Sequence, residues 1–205
     1  MSVIVGIDEV GRGCWAGPLV AAAVILNEPI DGLKDSKLLS AARREELALL
    51  INLQAASVGL GWVDAATIDR VGITTAVKWA MEQALEQIKA EYDEVIIDGQ
   101  FNFLSDKPKT KAVVKADATL PAASAASIVA KVARDKYMVD MAGLYPNYGF
   151  DRHVGYGTAL HLDRLKKHGI SKLHRQSFKP IKALLADAAN KISSEPEWQD
   201  ELLAT

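Results

Sequence analysis

Two apolar runs near the start of the chain, residues 3–10 and 19–26, are separated by a short glycine-rich turn. The first run is rich in β-branched residues and the second is continuously apolar, a pattern that favours buried strands. Neither approaches the roughly 18 apolar residues that a membrane-spanning helix needs. The chain is therefore predicted to open with two buried strands joined by a hairpin-like turn.

The rest of the sequence alternates between strand and helix patterns, which predicts one α/β domain. We expect a core over residues 1–145 and, over residues 146–205, a C-terminal helical element that packs on this core without being an independent domain. Ser40 is the expected N-cap of the first helix. Further strands are predicted at 57–63, 94–98 and 111–115, and helices at 41–53, 74–91, 122–141, 158–168 and 179–191.

The composition excludes several classes of protein. Of the 205 residues, 49% are hydrophobic and 24% are charged, which is typical of a globular chain and excludes disorder and fibrous repeats. The sequence begins without a basic leader or a cleavage site, so we expect a cytoplasmic protein with no membrane span. Cys14 is the single cysteine, which excludes an internal disulfide.

Charge is distributed unevenly along the chain. Residues 1–100 hold 8 Lys and Arg against 15 Asp and Glu, a net charge of −7, whereas residues 101–182 hold 15 against 6, a net charge of +9. A local basic surplus is what a nucleic-acid-binding surface requires, but solvated helix faces give the same count. The asymmetry motivates a nucleic-acid partner without establishing one.

Two adjacent carboxylates, Asp8 and Glu9, end the first predicted strand and are followed by a glycine-bracketed arginine, Arg12. Neighbouring strand residues point to opposite faces, so these two acids cannot both be ordinary core positions. Clustered carboxylates repel one another unless a cation intervenes, and Mg²⁺ prefers carboxylates together with phosphate oxygens. The pattern indicates a divalent-metal site, and an acidic strand end before a glycine turn is the plain alternative.

Two further acids stand where metal ligands can converge. Asp98 ends a predicted strand and precedes Gly99, and Asp117 precedes the predicted helix at 122–141. Taken singly, the first is equally consistent with an Asp-Gly turn and the second with a loop or helix-cap acid. Together with Asp8 and Glu9, they supply the number of carboxylates that a two-metal phosphoryl-transfer site needs.

The same glycines also fit a dinucleotide-binding pattern, because Gly11, Gly13 and Ala16 follow the spacing G-x-G-x-x-A. That motif requires a helix to begin at the glycines, so that its N-terminus faces the pyrophosphate. The run at 19–26 is instead predicted to be a strand. Two carboxylates directly before the glycines would also repel a pyrophosphate, so the dinucleotide interpretation is disfavoured.

A series of short motifs runs through most of the chain, within residues 3–184. It begins with Asp-Glu-Val-Gly-Arg-Gly at 8–13 and Gly-Pro-Leu-Val at 17–20. It continues with Asp-Ser-Lys at 35–37, Ile-Asp at 68–69, Ile-Ile-Asp-Gly at 96–99, Lys-Ala-Asp at 115–117, Ser-Ala-Ala-Ser-Ile-Val-Ala-Lys-Val-Ala-Arg-Asp at 124–135, Gly-Tyr-Gly-Thr at 155–158 and His-Arg-Gln-Ser-Phe at 174–178. In order and spacing this series resembles the ribonuclease HII family, the bacterial type 2 ribonucleases H.

The resemblance implies a ribonuclease H-like fold, with a mixed five-stranded sheet flanked by helices and a C-terminal helical extension. It also implies an endonuclease that hydrolyses the RNA strand of RNA/DNA hybrids and incises 5′ of ribonucleotides embedded in duplex DNA, leaving 5′-phosphate and 3′-hydroxyl ends. Asp8, Glu9, Asp98 and Asp117 match the family's four active-site carboxylates, which hold two Mn²⁺ or Mg²⁺ ions. We expect a monomer, and the sequence identifies no protein partner.

Other positions that match the family concern the substrate. The resemblance assigns Gly11, Arg12 and Gly13 to the element that reads the ribose 2′-hydroxyl, the group that distinguishes RNA from DNA. It assigns Tyr156 to packing on the sugar of the following deoxynucleotide, which favours an RNA-to-DNA step.

Lys37 and Arg175 match polar positions expected near the phosphates. The four histidines show no metal-ligand spacing, and with Cys14 they are expected mostly in packing or surface positions. Two other functions stay open: another metal nuclease or resolvase of the same fold, and a non-catalytic module that binds hybrids. The binding module is disfavoured, because a binder gains nothing from carboxylates that repel phosphate.

Overall fold

The computed structural model describes residues 2–33 and 39–194. These residues form one mixed sheet of five strands in the order β3-β2-β1-β4-β5, and the first strand lies at its centre. The first strand pairs antiparallel with the second and parallel with the fourth. The strands are β1 (Ile4–Val10), β2 (Leu19–Leu26), β3 (Ala55–Val63), β4 (Glu94–Asp98) and β5 (Thr110–Val113).

Eight helices in the described part of the chain cover both faces of the sheet and extend beyond it. Ser40 is the N-cap of the first, as expected, and its side chain accepts a hydrogen bond from the main-chain N–H of Arg43 at 3.2 Å. The helices are α1 (Ala41–Gln54), α2 (Ala65–Val71), α3 (Ile73–Glu86), α4 (Ala116–Thr119), α5 (Pro121–Leu144), α6 (Phe150–His153), α7 (Ala159–His168) and α8 (Lys179–Ser194).

Alternation along β1 divides its side chains between the two helical layers. Val5 and Ile7 lie in the apolar cluster that includes α3. Gly6 faces α5, and a Cβ atom added there would lie 2.2 Å from the main chain of Ala122. Because side chains repeat every second residue in a strand, Asp8 points to the same layer as Gly6. The close approach of strand and helix therefore brings the first candidate carboxylate against α5.

The helical segments differ from the sequence prediction in several places, because α2, α4 and α6 fall in stretches where no helix is predicted. The predicted helix at 74–91 ends at Glu86, and a separate short helix, α2, precedes it. Gly72 separates the two helices with φ +81° and ψ 157°, a conformation essentially restricted to glycine. The chain therefore breaks between α2 and α3, and α2 is a segment that the sequence prediction lacks.

The turn after β1 leads into a strand, not a helix. β2 begins at Leu19 and pairs antiparallel with β1, so the chain does not enter a helix after the glycines at positions 11 and 13. The structure thereby excludes the dinucleotide interpretation.

The helices after α5 pack against the same turn. Met138 of α5 shares an apolar cluster with Phe150, Leu165 and Ile181. An isolated β-bridge joins Ala16 to His174. Within the described residues, no helix is both long and apolar enough to cross a membrane.

Candidate active site

Three of the four candidate carboxylates converge at one end of the sheet. Oxygen atoms of Asp8, Asp98 and Asp117 all lie within 4.8 Å of one another. Asp8 is on β1 and Asp98 ends β4, and these strands are parallel neighbours, so their C-terminal ends share one edge of the sheet. Asp117 lies on α4, directly after β5. A parallel pair and a short helix thus gather acids that are 90 and 19 residues apart in sequence.

The pKa of Asp8 is strongly raised. Burial, followed by repulsion from Glu9 and Asp98, raises its pKa to about 8, although a hydrogen bond with Ser127 acts in the opposite direction. A carboxyl group held this way is neutral below that pH unless a cation compensates its charge. Three hard oxygen donors within 4.8 Å fit a divalent ion such as Mg²⁺ or Mn²⁺.

A strained residue sets the position of Asp117. Lys115 precedes α4 with φ +59°, a left-handed conformation that is uncommon for residues other than glycine. The turn leaves Asp117 buried, and its main-chain N–H donates to Oδ1 of Asp98 at 3.4 Å. Backbone geometry therefore ties the second and third carboxylates to each other.

Glu9 stands apart from the triad. Its carboxylate lies 3.7 Å from Nη1 of Arg12, and the Arg12 guanidinium is 5.4 Å from the ring centroid of Phe103. Neighbouring residues of β1 point to opposite faces, yet Glu9 stays close enough to Asp8 for its charge to raise the pKa of that carboxyl. The sequence predicts four converging carboxylates, and the structure brings three together with Glu9 at their margin.

An open cleft of about 230 Å³ adjoins the triad. It contains most of the positions that the sequence assigns to the substrate, including the whole glycine–arginine–glycine turn. The lining residues are Asp8, Glu9, Val10, Gly11, Arg12, Gly13, Ser127, Lys131 and Tyr156.

Tyr156 reaches this cleft from the C-terminal element and is 39% exposed. Nζ of Lys131 lies 5.3 Å from its ring centroid, and the Arg134 guanidinium lies 5.7 Å from it. Its hydroxyl is hydrogen-bonded to Cys14, and burial is the main cause that raises its pKa to about 12. The phenol is therefore neutral at physiological pH and held on one side, with part of its ring open to the cleft.

Two buried arginines support the turn between β1 and β2. Arg134 donates to the main-chain oxygens of Pro18 (2.9 Å) and Ala16 (3.0 Å). Arg175 donates to Gly17 (3.0 Å) and to Arg12 (3.2 Å). Main-chain oxygens of the turn thus accept hydrogen bonds from both guanidinium groups beneath it.

Arg175 therefore does not have the surroundings that the sequence analysis expects. It is fully buried, whereas a side chain that contacts phosphate directly needs access to solvent. Burial lowers its pKa to about 10, so it stays charged at neutral pH. Its position is that of a support for the Arg12 main chain. Lys37, the other residue expected near phosphate, lies outside the described residues.

Sequence reasoning did not single out three further polar residues of this region. Ser127, Lys131 and Arg134 are spaced i, i+4 and i+7 along α5, which places them on one helical face. Their signal is a stripe of hydrogen-bonding side chains in an alanine-rich helix. That stripe indicates a helix face directed at a functional site.

Comparisons with known proteins agree with this arrangement. A family model described as ribonuclease HII matches residues 5–181. The ribonuclease HII of Dichelobacter nodosus (strain VCS1703A) is 48% identical over 185 residues, which cover 89% of this chain and 97% of that protein.

Solved structures show the same architecture. The crystal structure of ribonuclease H2 from Pyrococcus horikoshii OT3 has a TM-score of 0.77 at 24% identity, over 90% of this chain and 98% of that one. Bst-RNase HIII in complex with Mn²⁺ has a TM-score of 0.73 at 21% identity, over 92% of this chain and 71% of that one. These similarities confirm the expected mixed five-stranded sheet flanked by helices.

Proposed function

The chain belongs to the ribonuclease HII family of metal-dependent ribonucleases acting on RNA/DNA hybrids, and from this premise we propose that it also incises duplex DNA on the 5′ side of an embedded ribonucleotide. The products carry a 5′-phosphate on the ribonucleotide and a 3′-hydroxyl on the upstream strand. The observation that carries this proposal is the acidic triad beside a cleft lined by the glycine–arginine–glycine turn and Tyr156.

Asp8, Asp98 and Asp117 hold the divalent ions in this proposal, and Glu9 completes the ligand set from the margin. Two ions, Mn²⁺ or Mg²⁺, supply an activated water nucleophile and compensate charge on the departing 3′-oxygen. Asp8 contributes as a carboxylate only after its proton is displaced, because its pKa lies near 8 without an ion. Ser127 orients Asp8 by hydrogen bonding to it.

Recognition of the ribonucleotide falls to the turn at Gly11, Arg12 and Gly13. Apart from its chain neighbours, no atom of the described residues lies within 4 Å of the Cβ position that a larger residue would have at Gly13, so the main chain is open to a close-lying sugar. Main-chain groups in such a turn can bond a ribose 2′-hydroxyl, the group absent from DNA. Arg12, whose side chain is 46% exposed, adds a guanidinium that suits a phosphate.

Tyr156 reads the nucleotide after the ribonucleotide in this proposal. Its exposed ring packs on the deoxyribose, which has no 2′-hydroxyl to displace it. Residues 1–145 act as the catalytic core, and the element that starts at 146 contributes this tyrosine. The ribose and the deoxynucleotide that follows it are therefore contacted by different parts of the chain.

Cleavage of three labelled duplexes tests the proposal. They are all-DNA, DNA with one ribonucleotide, and a continuous RNA/DNA hybrid, each assayed with Mn²⁺, Mg²⁺ or EDTA. We expect metal-dependent cutting of the second and third only. Asp8→Asn should abolish cutting while hybrid binding in EDTA is retained. Cutting of the hybrid alone would restrict the enzyme to RNA tracts and contradict the incision proposed at single ribonucleotides.

A further inference from the structure

A cluster of three buried histidines lies directly behind Tyr156. The rings of His153 and His161 stack with centroids 4.2 Å apart, and Nε2 of His161 lies 3.0 Å from Nε2 of His174. All three residues are at most 6% exposed. Nδ1 of His161 lies 2.9 Å from the main-chain oxygen of Tyr156, so the cluster ends on the residue that lines the cleft.

The hydrogen bonds fix the tautomer of His161. A carbonyl oxygen only accepts, so Nδ1 of His161 carries the proton that it donates to Tyr156. A neutral imidazole has a single N–H, so Nε2 of His161 is an acceptor and the proton between the rings belongs to His174. Nδ1 of His174 is then an acceptor too, as its 2.8 Å hydrogen bond from the main-chain N–H of Ser171 requires.

The third ring fixes the turn that precedes Tyr156. Nε2 of His153 lies 2.8 Å from the main-chain oxygen of Tyr148, and its Nδ1 accepts from the N–H of Gly155 at 3.2 Å. The main-chain N–H of Tyr156 donates to the oxygen of His153 at 2.8 Å. Both peptide groups around position 155 are thus engaged by the cluster.

This turn is strained. Val154 has φ +43°, and a left-handed conformation is an outlier for a β-branched residue. Gly155 follows with φ +87°, and a Cβ there would lie 2.3 Å from the main-chain oxygen of Ala16. Such backbone conformations persist only where surrounding contacts enforce them, and they concentrate at functional sites.

The opposite side of the turn is held by groups that also support the glycine–arginine–glycine segment. Nη1 of Arg134 donates to the oxygen of Val154 at 2.9 Å. The N–H of Trp15 donates to Gly155 at 2.9 Å. Tyr156 therefore lies between the groups that support the first turn and the histidine cluster. Its main-chain oxygen accepts from the main-chain N–H of Thr158 at 2.9 Å and, on the side of the cluster, from Nδ1 of His161.

We propose that His161, supported by His174, is a positioning residue that holds the Tyr156 main chain so that its ring meets the nucleotide after the ribonucleotide. This inference rests on the proposed function, because it concerns the selectivity assigned to Tyr156. It extends that function by naming residues that touch neither metal nor substrate and still set the preference for an RNA-to-DNA step.

Two substitutions of His161 distinguish the role of its Nδ1–H donor from that of the rest of the imidazole ring. His161→Asn retains an N–H donor close to the place of Nδ1, whereas His161→Gln extends its amide towards His174 and lacks the donor at Tyr156. His168→Asn, on the same helix and half-buried, is the matched control. The readout is kcat/KM on the single-ribonucleotide duplex divided by kcat/KM on the continuous hybrid, with Tyr156→Ala marking complete loss of the tyrosine.

We expect His161→Gln to lower this ratio about tenfold towards that of Tyr156→Ala, as misplacement of a binding group does, with cleavage of the continuous hybrid changed less than about twofold. His161→Asn and His168→Asn should keep the wild-type ratio. A wild-type ratio in His161→Gln, or equal losses on both substrates in both His161 variants, would overturn the inference. An unchanged ratio in Tyr156→Ala would instead overturn the role of Tyr156 in the proposed function, and the positioning role with it.

A measurement on the wild-type enzyme tests the same inference without requiring that the variants fold. In EDTA, the Nδ1–H resonance of ¹⁵N-labelled His161 should shift when the single-ribonucleotide duplex binds and stay in place with all-DNA duplex. An identical response to the two duplexes would contradict the link between His161 and Tyr156.

Discussion

The Nη1 atom of Arg175 donates a hydrogen bond to the main-chain oxygen of Arg12 at 3.2 Å, although the residues are 163 positions apart. The same guanidinium bonds Gly17 through Nε at 3.0 Å, so one side chain spans the turn between β1 and β2. The two arginines thus have different roles at this turn. The exposed Arg12 side chain lines the cleft, and the buried Arg175 side chain supports the main chain beneath it.

Arg175→Lys should weaken the turn. A lysine ammonium is a single donor group on a flexible stem and does not reproduce the planar fork, so at least one buried carbonyl loses its partner. We expect a loss of about 1–3 kcal/mol in the free energy of unfolding and a higher KM for the single-ribonucleotide duplex. Urea unfolding and steady-state kinetics measure both. Arg43→Lys, at an exposed ion pair with Glu46, is the control, and equal behaviour of the two variants would contradict the supporting role.

The stability of the metal-free protein should depend on pH through Asp8. Its pKa is raised to about 8 in the folded state from 3.8, so its contribution to stability is complete below about pH 4 and is lost as pH rises through 8. Asp8→Asn has no carboxyl group to ionise at this position, so the variant does not lose stability in this way as pH rises. The Tm of the variant should therefore rise relative to wild type between pH 5 and 9, measured by thermal unfolding in EDTA.

Addition of Mn²⁺ supplies the complementary half of this test. The ion compensates the carboxylate charge, so it should raise the wild-type Tm more at pH 8 than at pH 6, where the Asp8 proton competes with it. Asp8→Asn should respond weakly at both values. Asp140→Asn, at an exposed pair with Lys136, should follow wild type throughout. Equal Mn²⁺ responses of wild type and Asp8→Asn would remove Asp8 from the metal site.

Gly6→Ala should destabilise the protein and disturb the site together. The added Cβ would lie 2.2 Å from the main chain of Ala122, so β1 must move away from α5, and Asp8 moves with β1. Overpacking of this kind costs about 1–3 kcal/mol. Gly143 is exposed on α5, and among the described residues nothing outside its own stretch of helix lies within 4 Å of the new Cβ, so Gly143→Ala should instead stabilise by about 0.5–1 kcal/mol. Urea unfolding of the two variants provides the comparison, and equal stabilities would contradict the close packing at Gly6.

Acid should weaken the protein through the histidine cluster. Burial lowers the pKa of His161 and of His174 to about 4 from 6.5, so the unfolded chain protonates first. Stability that is complete above about pH 6.5 is then lost as pH falls towards 4, by about 1.4 kcal/mol per pH unit for each histidine. Urea unfolding between pH 7 and 4.5 should show a shallower slope in His161→Asn than in wild type. A slope in His161→Asn as steep as that of His168→Asn would contradict the assignment.

Local patterns were enough to locate the strands, whereas the mixed five-stranded sheet came from the family resemblance. The structure has β2 and β4 at the residues that the sequence indicates, because a continuous apolar run buried on both faces carries its own signal. The convergence of Asp8 with Asp98 also follows from adjacent parallel strands. The short helix α2 was missed, because seven residues give too few turns for a clear helical period.

Residues whose surroundings depend on distant parts of the chain were predicted less well. The family resemblance places Arg175 near phosphate, yet two of its nitrogens donate in the interior to the main-chain oxygens of Gly17 and Arg12. The pairing of His161 with His174 likewise depends on how α7 meets the segment before α8. Neither contact leaves a periodic trace in the sequence.

Mapping the ends left by cleavage tests the central claim most directly. A duplex with one ribonucleotide is cut by the wild-type enzyme in Mn²⁺, and both fragments are weighed by mass spectrometry. Attack by external water predicts a 3′-hydroxyl on the upstream DNA and a 5′-phosphate on the ribonucleotide, with no product in EDTA. A 2′,3′-cyclic phosphate, or cutting that persists without metal, would show that the ribose hydroxyl attacks and would contradict the role given to the three carboxylates.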